Sequence, residues 1–85
     1  MAWYRIAFRP SVMQDLIDMD ASIAQRLFDK TKWLASNVGN LRHEPIGEDL
    51  PGLCKYAVGS WRIYYSIDQT DRFVDIHGII KQTQM

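Results

Sequence analysis

Apolar and polar positions alternate in two runs, Leu53 to Val58 and Trp61 to Asp68, separated by Gly59-Ser60. A two-residue loop with glycine first favours a type II′ turn, which joins antiparallel strands without splaying them. The predicted hairpin sets Val58 opposite Trp61, Ala57 opposite Arg62, Tyr56 opposite Ile63, Lys55 opposite Tyr64 and Cys54 opposite Tyr65. Directly opposed residues share a face of the sheet. One face then carries Cys54, Tyr56, Val58, Trp61, Ile63 and Tyr65, a core. The other carries Lys55, Ala57, Arg62 and Tyr64, a cationic and aromatic surface suited to holding a phosphate.

The remaining pattern divides into short elements. Trp3 to Arg9 alternates, with Tyr4, Ile6 and Phe8 on one side, and predicts a half-buried strand. Pro10 suits the first turn of a helix, where its missing N–H does no harm. Val12, Leu16 and Met19 then recur at helical spacing, predicting a short helix over residues 11 to 19. Asp20 is placed to cap a second helix. Its buried stripe is Ile23, Leu27, Thr31, Leu34 and Val38, widened by Phe28 and Ala35, and Gly39 is placed to end it in a left-handed cap. Residues 39 to 52 hold three Gly and two Pro and predict a loop. Gln69 to Asp71 predicts a turn and Phe73 to Ile80 a last strand, with Val74 and Ile76 inward and Asp75 and His77 outward. Gly78 is a position where a bulge can rotate His77. The order is β-α-α-β-β-β, an α+β fold in which a helical hairpin packs on one antiparallel sheet.

At 85 residues the whole chain, 1–85, is expected to form a single domain. No apolar run reaches the roughly 18–20 residues that span a bilayer. Met1 is followed by no apolar segment of the secretion-signal kind. Cys54 is the one cysteine and faces inward, so no internal disulfide is expected, and a cytoplasmic protein follows. Ten basic and ten acidic residues balance to zero, which argues against unaided tight binding to nucleic acid. The charges are uneven, however. Residues 53 to 67 contain Lys55 and Arg62 and no acid. The histidines and Cys54 lack metal-ligand spacing. No glycine-rich phosphate loop precedes a helix, so neither a metal nor a nucleotide cofactor is expected.

The hairpin residues Leu50, Gly52, Leu53, Lys55, Val58, Gly59, Trp61, Arg62, Ile63, Tyr65, Ile67 and Asp68, placed late in this order of elements, form a pattern. Together they resemble the RelE/ParE toxin superfamily of bacterial type II toxin–antitoxin systems. The strand ending in Phe8, the helix signal Asp15-Leu16 and the helix end Leu34 to Asn37 are similar too. So is the loop His43 to Leu53. The segment Ile76 to Gln84 looks like the HigB-type branch. The resemblance implies a toxin that stops translation by cutting messenger RNA on the ribosome, with basic residues of this sheet face around the scissile phosphate. It carries that role onto Lys55 and Arg62. A third basic position is Ala57 here. The usual C-terminal Arg and late Tyr lack clear counterparts, and Lys81 stands in for one cation.

RNA cleavage without a metal needs the 2′-hydroxyl aligned, its proton removed, and the leaving 5′-oxygen protonated. Arg62 can bind two phosphate oxygens through its planar fork. Lys55 adds a point charge. His77 exchanges protons near neutral pH. These three are the catalytic candidates. Tyr64, Lys81 and His43 are candidate substrate contacts. Each has an alternative. Arg62 can pair with Asp75, Lys55 can serve solubility on an edge strand, and His77 can be structural. His43 can fix its loop, and Tyr64 can cover the sheet instead of stacking on a base. The resemblance also implies a cognate antitoxin as partner, with the ribosome and mRNA as target. A ParE-like DNA gyrase inhibitor is the alternative, as is a degenerate binding module. A homodimer is a further possibility, because the free toxin would expose apolar surface.

Overall fold

The computed structural model describes residues 4–82. Trp3, and Thr83 and Gln84 of the C-terminal resemblance, lie outside them. The elements are β1 (Arg5–Phe8), α1 (Pro10–Asp18), α2 (Ala21–Ser36), a 3-10 turn (Val38–Asn40), β2 (Glu44–Pro45), β3 (Leu53–Val58), β4 (Trp61–Asp68) and β5 (Phe73–Lys81). The strands form one five-stranded sheet in the order β1-β5-β4-β3-β2. Helix α1 lies against β5, and α2 against β1 and β5, so both helices cover one face. The α+β fold and its helical hairpin on a sheet are as predicted. The sheet is mixed, not wholly antiparallel, because β1 pairs with β5 in parallel from Arg5–Phe73 to Phe8–Ile76. Parallel neighbours need a long crossover. Here both helices and three strands separate the partners, and alternation within either strand carries no trace of that pairing.

The hairpin register is the predicted one, pair for pair, from Val58–Trp61 to Cys54–Tyr65. Gly59 has φ 58° while Ser60 stays out of the left-handed region, as a type II′ turn requires. Below the sheet, Val12, Leu16, Leu27, Leu34, Val58, Ile63, Tyr65, Val74, Ile76 and Ile79 are buried together.

Pro10 opens α1, and Val12 and Leu16 are its buried residues. In α2 the buried stripe is Leu27, Thr31, Leu34 and Ala35. Ile23 and Phe28, predicted inward, are each 37% exposed. The helix ends at Ser36, before the predicted cap at Gly39. The Asn37 side chain donates to the Trp33 carbonyl at 2.8 Å and satisfies that orphan acceptor first. Val38 then falls in the 3-10 turn.

Asp20 caps α2 as predicted, accepting from the Ser22 N–H at 3.2 Å. The Ser22 hydroxyl and then the Ser22 N–H hold the Asp20 carboxyl below its ordinary value. The folded state therefore favours the ionised form. The cap's contribution is complete above the unfolded carboxyl value and is lost as pH falls through the lower folded value. Asp20→Ala is expected to lower the urea midpoint at neutral pH, with the gap to wild type closing in acid.

The loop predicted over 39 to 52 contains more structure than its composition suggests. Glu44 and Pro45 pair with Lys55 and Cys54, making β2 a two-residue edge strand. Proline is tolerated there because an edge leaves one side unpaired. Leu50, Pro51, Gly52 and Leu53 form a type II turn: Gly52 has φ 83°, and the Leu53 N–H donates to the Leu50 carbonyl at 3.2 Å.

One irregularity decides the geometry of the outer face. Tyr64 pairs with Gly78 but Tyr65 pairs with Ile76, so His77 is the extra residue of a β-bulge. Beyond it the faces exchange. Ile79 turns inward and is 4% exposed, while Ile80 lies opposite Arg62 and is 56% exposed.

Candidate functional site

The sheet face away from the helices carries Lys55 from β3, Arg62, Tyr64 and Ser66 from β4, and Asp75 and His77 from β5. The register fixes their neighbours. Lys55 is opposite Tyr64, which is opposite Gly78. A Cβ on Gly78 would meet nothing within 4 Å, so the strand beside the Tyr64 ring is bare and open.

Arg62 is folded back over its own turn. Its Nη1 donates to the carbonyls of Gly59 and Trp61, each at 2.9 Å. A guanidinium has five N–H donors in a planar fork. The Nε and Nη2 edge has no hydrogen-bond partner among the described residues, and that edge can meet two oxygens of one phosphate. Lys55 Nζ lies 3.8 Å from Glu44 Oε1, with the two side chains 40% and 68% exposed. Exposed pairs of this kind contribute little, roughly 0–1 kcal/mol. A phosphate can displace Glu44 at small cost.

His77 is the most constrained of the candidates. Its Nε2 lies 2.8 Å from Ser66 Oγ and 3.6 Å from Asp75 Oδ2. A serine-hydrolase triad needs the carboxylate and the hydroxyl on different ring nitrogens. Here both face the same one, so Ser66 is not set up as a nucleophile. Asp75 also lies 3.7 Å from Arg9 Nη2. The alternative partner expected for Arg62 is therefore taken by Arg9 instead. Sequence reasoning missed Arg9, because only the parallel β1–β5 pairing brings it to this face. Ser66 was within reach of the hairpin register, two residues beyond Tyr64.

The other two candidates lie elsewhere. Lys81 is exposed and opposite Trp61, on the helix-facing side, because the bulge reverses the alternation before it. His43 also sits on that side. Its Nε2–H donates to the Val38 carbonyl at 2.9 Å, which makes Nδ1 the acceptor for the Tyr65 hydroxyl at 2.6 Å. Tyr65 is 2% exposed, and burial pushes its phenol from 10.0 up to about 12, with Cys54 and Tyr56 adding repulsion. Burial likewise raises the half-buried Cys54 thiol. The unfolded chain releases the Tyr65 proton first. Its contribution to stability is therefore complete below pH 10 and lost as pH rises through about 12. Tyr65→Phe leaves His43 Nδ1 without a donor. It is expected to cost about 1–3 kcal/mol by urea titration at neutral pH.

Among the described residues no three His, Cys, Asp or Glu side chains gather as a metal site, and no helix is long and apolar enough to cross a membrane.

A sequence model of the ParE toxin of type II toxin–antitoxin systems matches residues 6–85. The chain belongs to this toxin family. Among proteins of curated function no significant sequence relative is found. Solved structures agree on the fold. The RelBE2 toxin–antitoxin complex from Mycobacterium tuberculosis superposes with a TM-score of 0.85 at 20% identity, covering 99% of this chain and 97% of that one. The isolated RelE toxin of E. coli gives 0.76 at 14% identity, covering 96% and 87%. The archaeal RelE–RelB complex from Pyrococcus horikoshii OT3 gives 0.73 at 16% identity, covering 100% of each chain. Two of these structures hold the relative's toxin with its own antitoxin. The toxin described here shares their arrangement of helices on a sheet, and its outer face is the surface with convergent polar chemistry.

Proposed function

We propose that this toxin stops translation by cutting messenger RNA on the ribosome, using the outer sheet face and no metal. The observation that carries the reading is His77. The bulge leaves it on the face of Lys55, Arg62 and Tyr64, and Ser66 holds its Nε2. In the proposed reaction the 2′-oxygen attacks phosphorus and the 5′-oxygen leaves, giving a 2′,3′-cyclic phosphate and a 5′-hydroxyl end. Arg62 takes the phosphate oxygens on its free edge and offsets the charge gained in the transition state. Lys55 adds positive field from the neighbouring strand. His77 gives a proton to the leaving 5′-oxygen, and water takes the proton of the attacking 2′-hydroxyl. Tyr64 offers a ring for a base to stack on, with room above Gly78. The ribosome supplies the alignment that a neutral protein of this size lacks. His43 and Lys81, on the helix-facing side, have no part in this scheme.

The test is purified toxin added to translating ribosomes. Cut messages with 5′-hydroxyl ends are expected from wild type, with cutting lost in His77→Ala. Intact messages at full toxin occupancy would sink the reading.

A second reading has its own observation. Ala57 stands directly opposite Arg62, where another cation would strengthen a phosphate site. Lys55 and Arg62 also have partners within the chain already. A ParE-like toxin that binds DNA gyrase needs no catalytic set. Inhibition of supercoiling by purified toxin, with messages left whole, would favour it.

Either reading requires a cognate antitoxin. Met13, Ile17 and Phe28 leave exposed apolar surface on the helical hairpin. An amphipathic antitoxin segment is suited to cover such a surface, as is a second copy of the toxin. Co-expression of the adjacent gene is expected to restore growth.

A further inference from the structure

The two ring nitrogens of His77 stand in different surroundings. Nε2 lies 2.8 Å from Ser66 Oγ and 3.6 Å from Asp75 Oδ2, while Nδ1 has no hydrogen-bond partner among the described residues. The side chain is 26% exposed, so it is not sealed off from the outer face. The register places Ser66 directly opposite Asp75, and the bulge sets His77 beside that pair as the extra residue of β5. Asp75 Oδ2 also lies 3.7 Å from Arg9 Nη2. One carboxylate oxygen therefore stands between a guanidinium and an imidazole.

The two neighbours of Nε2 differ in what they can give and accept. A hydroxyl donates or accepts, so Ser66 alone is compatible with either state of Nε2. An ionised carboxylate only accepts. A bare Nε2 would set its lone pair against the Asp75 oxygen with no proton between them. A protonated Nε2 donates to Ser66 Oγ at 2.8 Å and also turns its positive hydrogen toward Asp75. The carboxylate decides between the two. Arg9 holds that oxygen from the far side, at the end of β1. The neutral ring then has its proton on Nε2 and a bare Nδ1, and the charged ring carries its second proton at Nδ1.

We propose that Nδ1 is the nitrogen of His77 that gives up the proton, and that Asp75 is the positioning residue that reserves Nε2 as the anchored side of the ring. The proposal rests on the cleavage reading and adds an atom and a positioning residue to it. In the step, the 2′-oxygen forms its bond to phosphorus and the bond from phosphorus to the 5′-oxygen breaks. The Nδ1 proton goes to that 5′-oxygen, and the 2′-hydroxyl proton goes to water. His77 is left neutral with its Nε2–H still on Ser66, and solvent returns a proton to Nδ1. The anchored nitrogen keeps its proton throughout, so the ring need not turn between cycles.

The experiment takes two readouts from purified toxin labelled with heavy nitrogen at its two histidines. One is the nitrogen spectrum in mildly alkaline buffer, where an imidazole is neutral and a bare nitrogen is told from a protonated one. The other is the rate of message cutting on ribosomes. His77→Ala identifies which signals belong to His77. Wild type is expected to carry the neutral-ring proton on Nε2. Ser66→Ala is expected to keep it there, because the carboxylate sets it. Asp75→Asn places an amide that both donates and accepts beside Nε2. It is expected to bring up the Nδ1–H form. It is also expected to slow cutting roughly 10²-fold with ribosome affinity retained, the low end of what positioned acid–base groups supply. The anchoring alone is overturned by a neutral-ring proton on Nδ1 in wild type, or by its move to Nδ1 in Ser66→Ala. It is equally overturned if a folded Asp75→Asn keeps the wild-type spectrum or cuts at the wild-type rate. A wild type that cuts nothing overturns the cleavage reading and with it the transfer from Nδ1, while the spectrum still decides whether Asp75 reserves Nε2.

Discussion

Replacing Arg62 with alanine is expected to lower message cleavage roughly 10²–10³-fold, the usual loss when one preorganised donor to a developing oxyanion is removed. The reason lies in how the side chain is held. Two carbonyls of its own hairpin turn fix Nη1, at 2.9 Å each. The guanidinium is therefore held by its own chain, and its Nε and Nη2 edge has no hydrogen-bond partner among the described residues. Arg62→Lys is expected to recover little. An ammonium supplies charge but neither the two-point grip nor the anchoring to both carbonyls. The loss should fall on the rate of cutting with ribosome association retained. Stability should change little, since the site is at the sheet surface. Full toxicity in a folded Arg62→Ala variant would remove Arg62 from the site.

The second large effect concerns adjacent residues with opposite fates. Ile79→Ala is expected to cost about 2–5 kcal/mol, the range for emptying a buried isoleucine site. Ile80→Ala is expected to stay within about 0.5 kcal/mol, as exposed substitutions do. Small domains hold only about 5–15 kcal/mol in total. At roughly 4–8 °C per kcal/mol, Ile79→Ala should lower Tm by about 8–40 °C and Ile80→Ala hardly at all. The contrast tests the bulge at His77, because unbroken alternation from Ile76 would put Ile80 inside and Ile79 outside. Equal or reversed costs in thermal unfolding would mean that the faces of β5 are assigned wrongly.

Some of this architecture is legible in the amino-acid sequence and some is not. The β3–β4 register was legible residue by residue. Alternation specified the faces, a two-residue Gly-Ser loop left one way to join them, and a one-residue slip would have put Ile63 and Tyr65 into water. Lys55, Arg62 and Tyr64 followed onto one face at once. The N-cap at Asp20 was legible for a similar reason, since it depends on neighbours in sequence.

What depended on partners distant in sequence was not legible. Arg9 reaches Asp75 only through the parallel β1–β5 pairing. Lys81 changes side because of a bulge four residues earlier, and although Gly78 hinted at a bulge, only the pairing with β4 shows that His77 is the extra residue. His43 gave no sign that it would bond Tyr65, whose hydroxyl lies beneath a different part of the chain. The helix end at Ser36 was misjudged because a side-chain bond from Asn37 competed successfully with the glycine two residues on. Local backbone chemistry, as at Leu50 to Leu53, can be hidden within a loop composition until its hydrogen bonds are counted.

The central claim is that this face cuts RNA and that Arg62 is central to the cut. It is tested most directly by sequencing newly formed 5′ ends after a short pulse of expression, comparing wild type with Arg62→Ala at equal protein levels. The expected result is new 5′-hydroxyl ends within translated messages for wild type, and their near disappearance for Arg62→Ala. Arrested growth with no new ends, or the same ends in both, would contradict it.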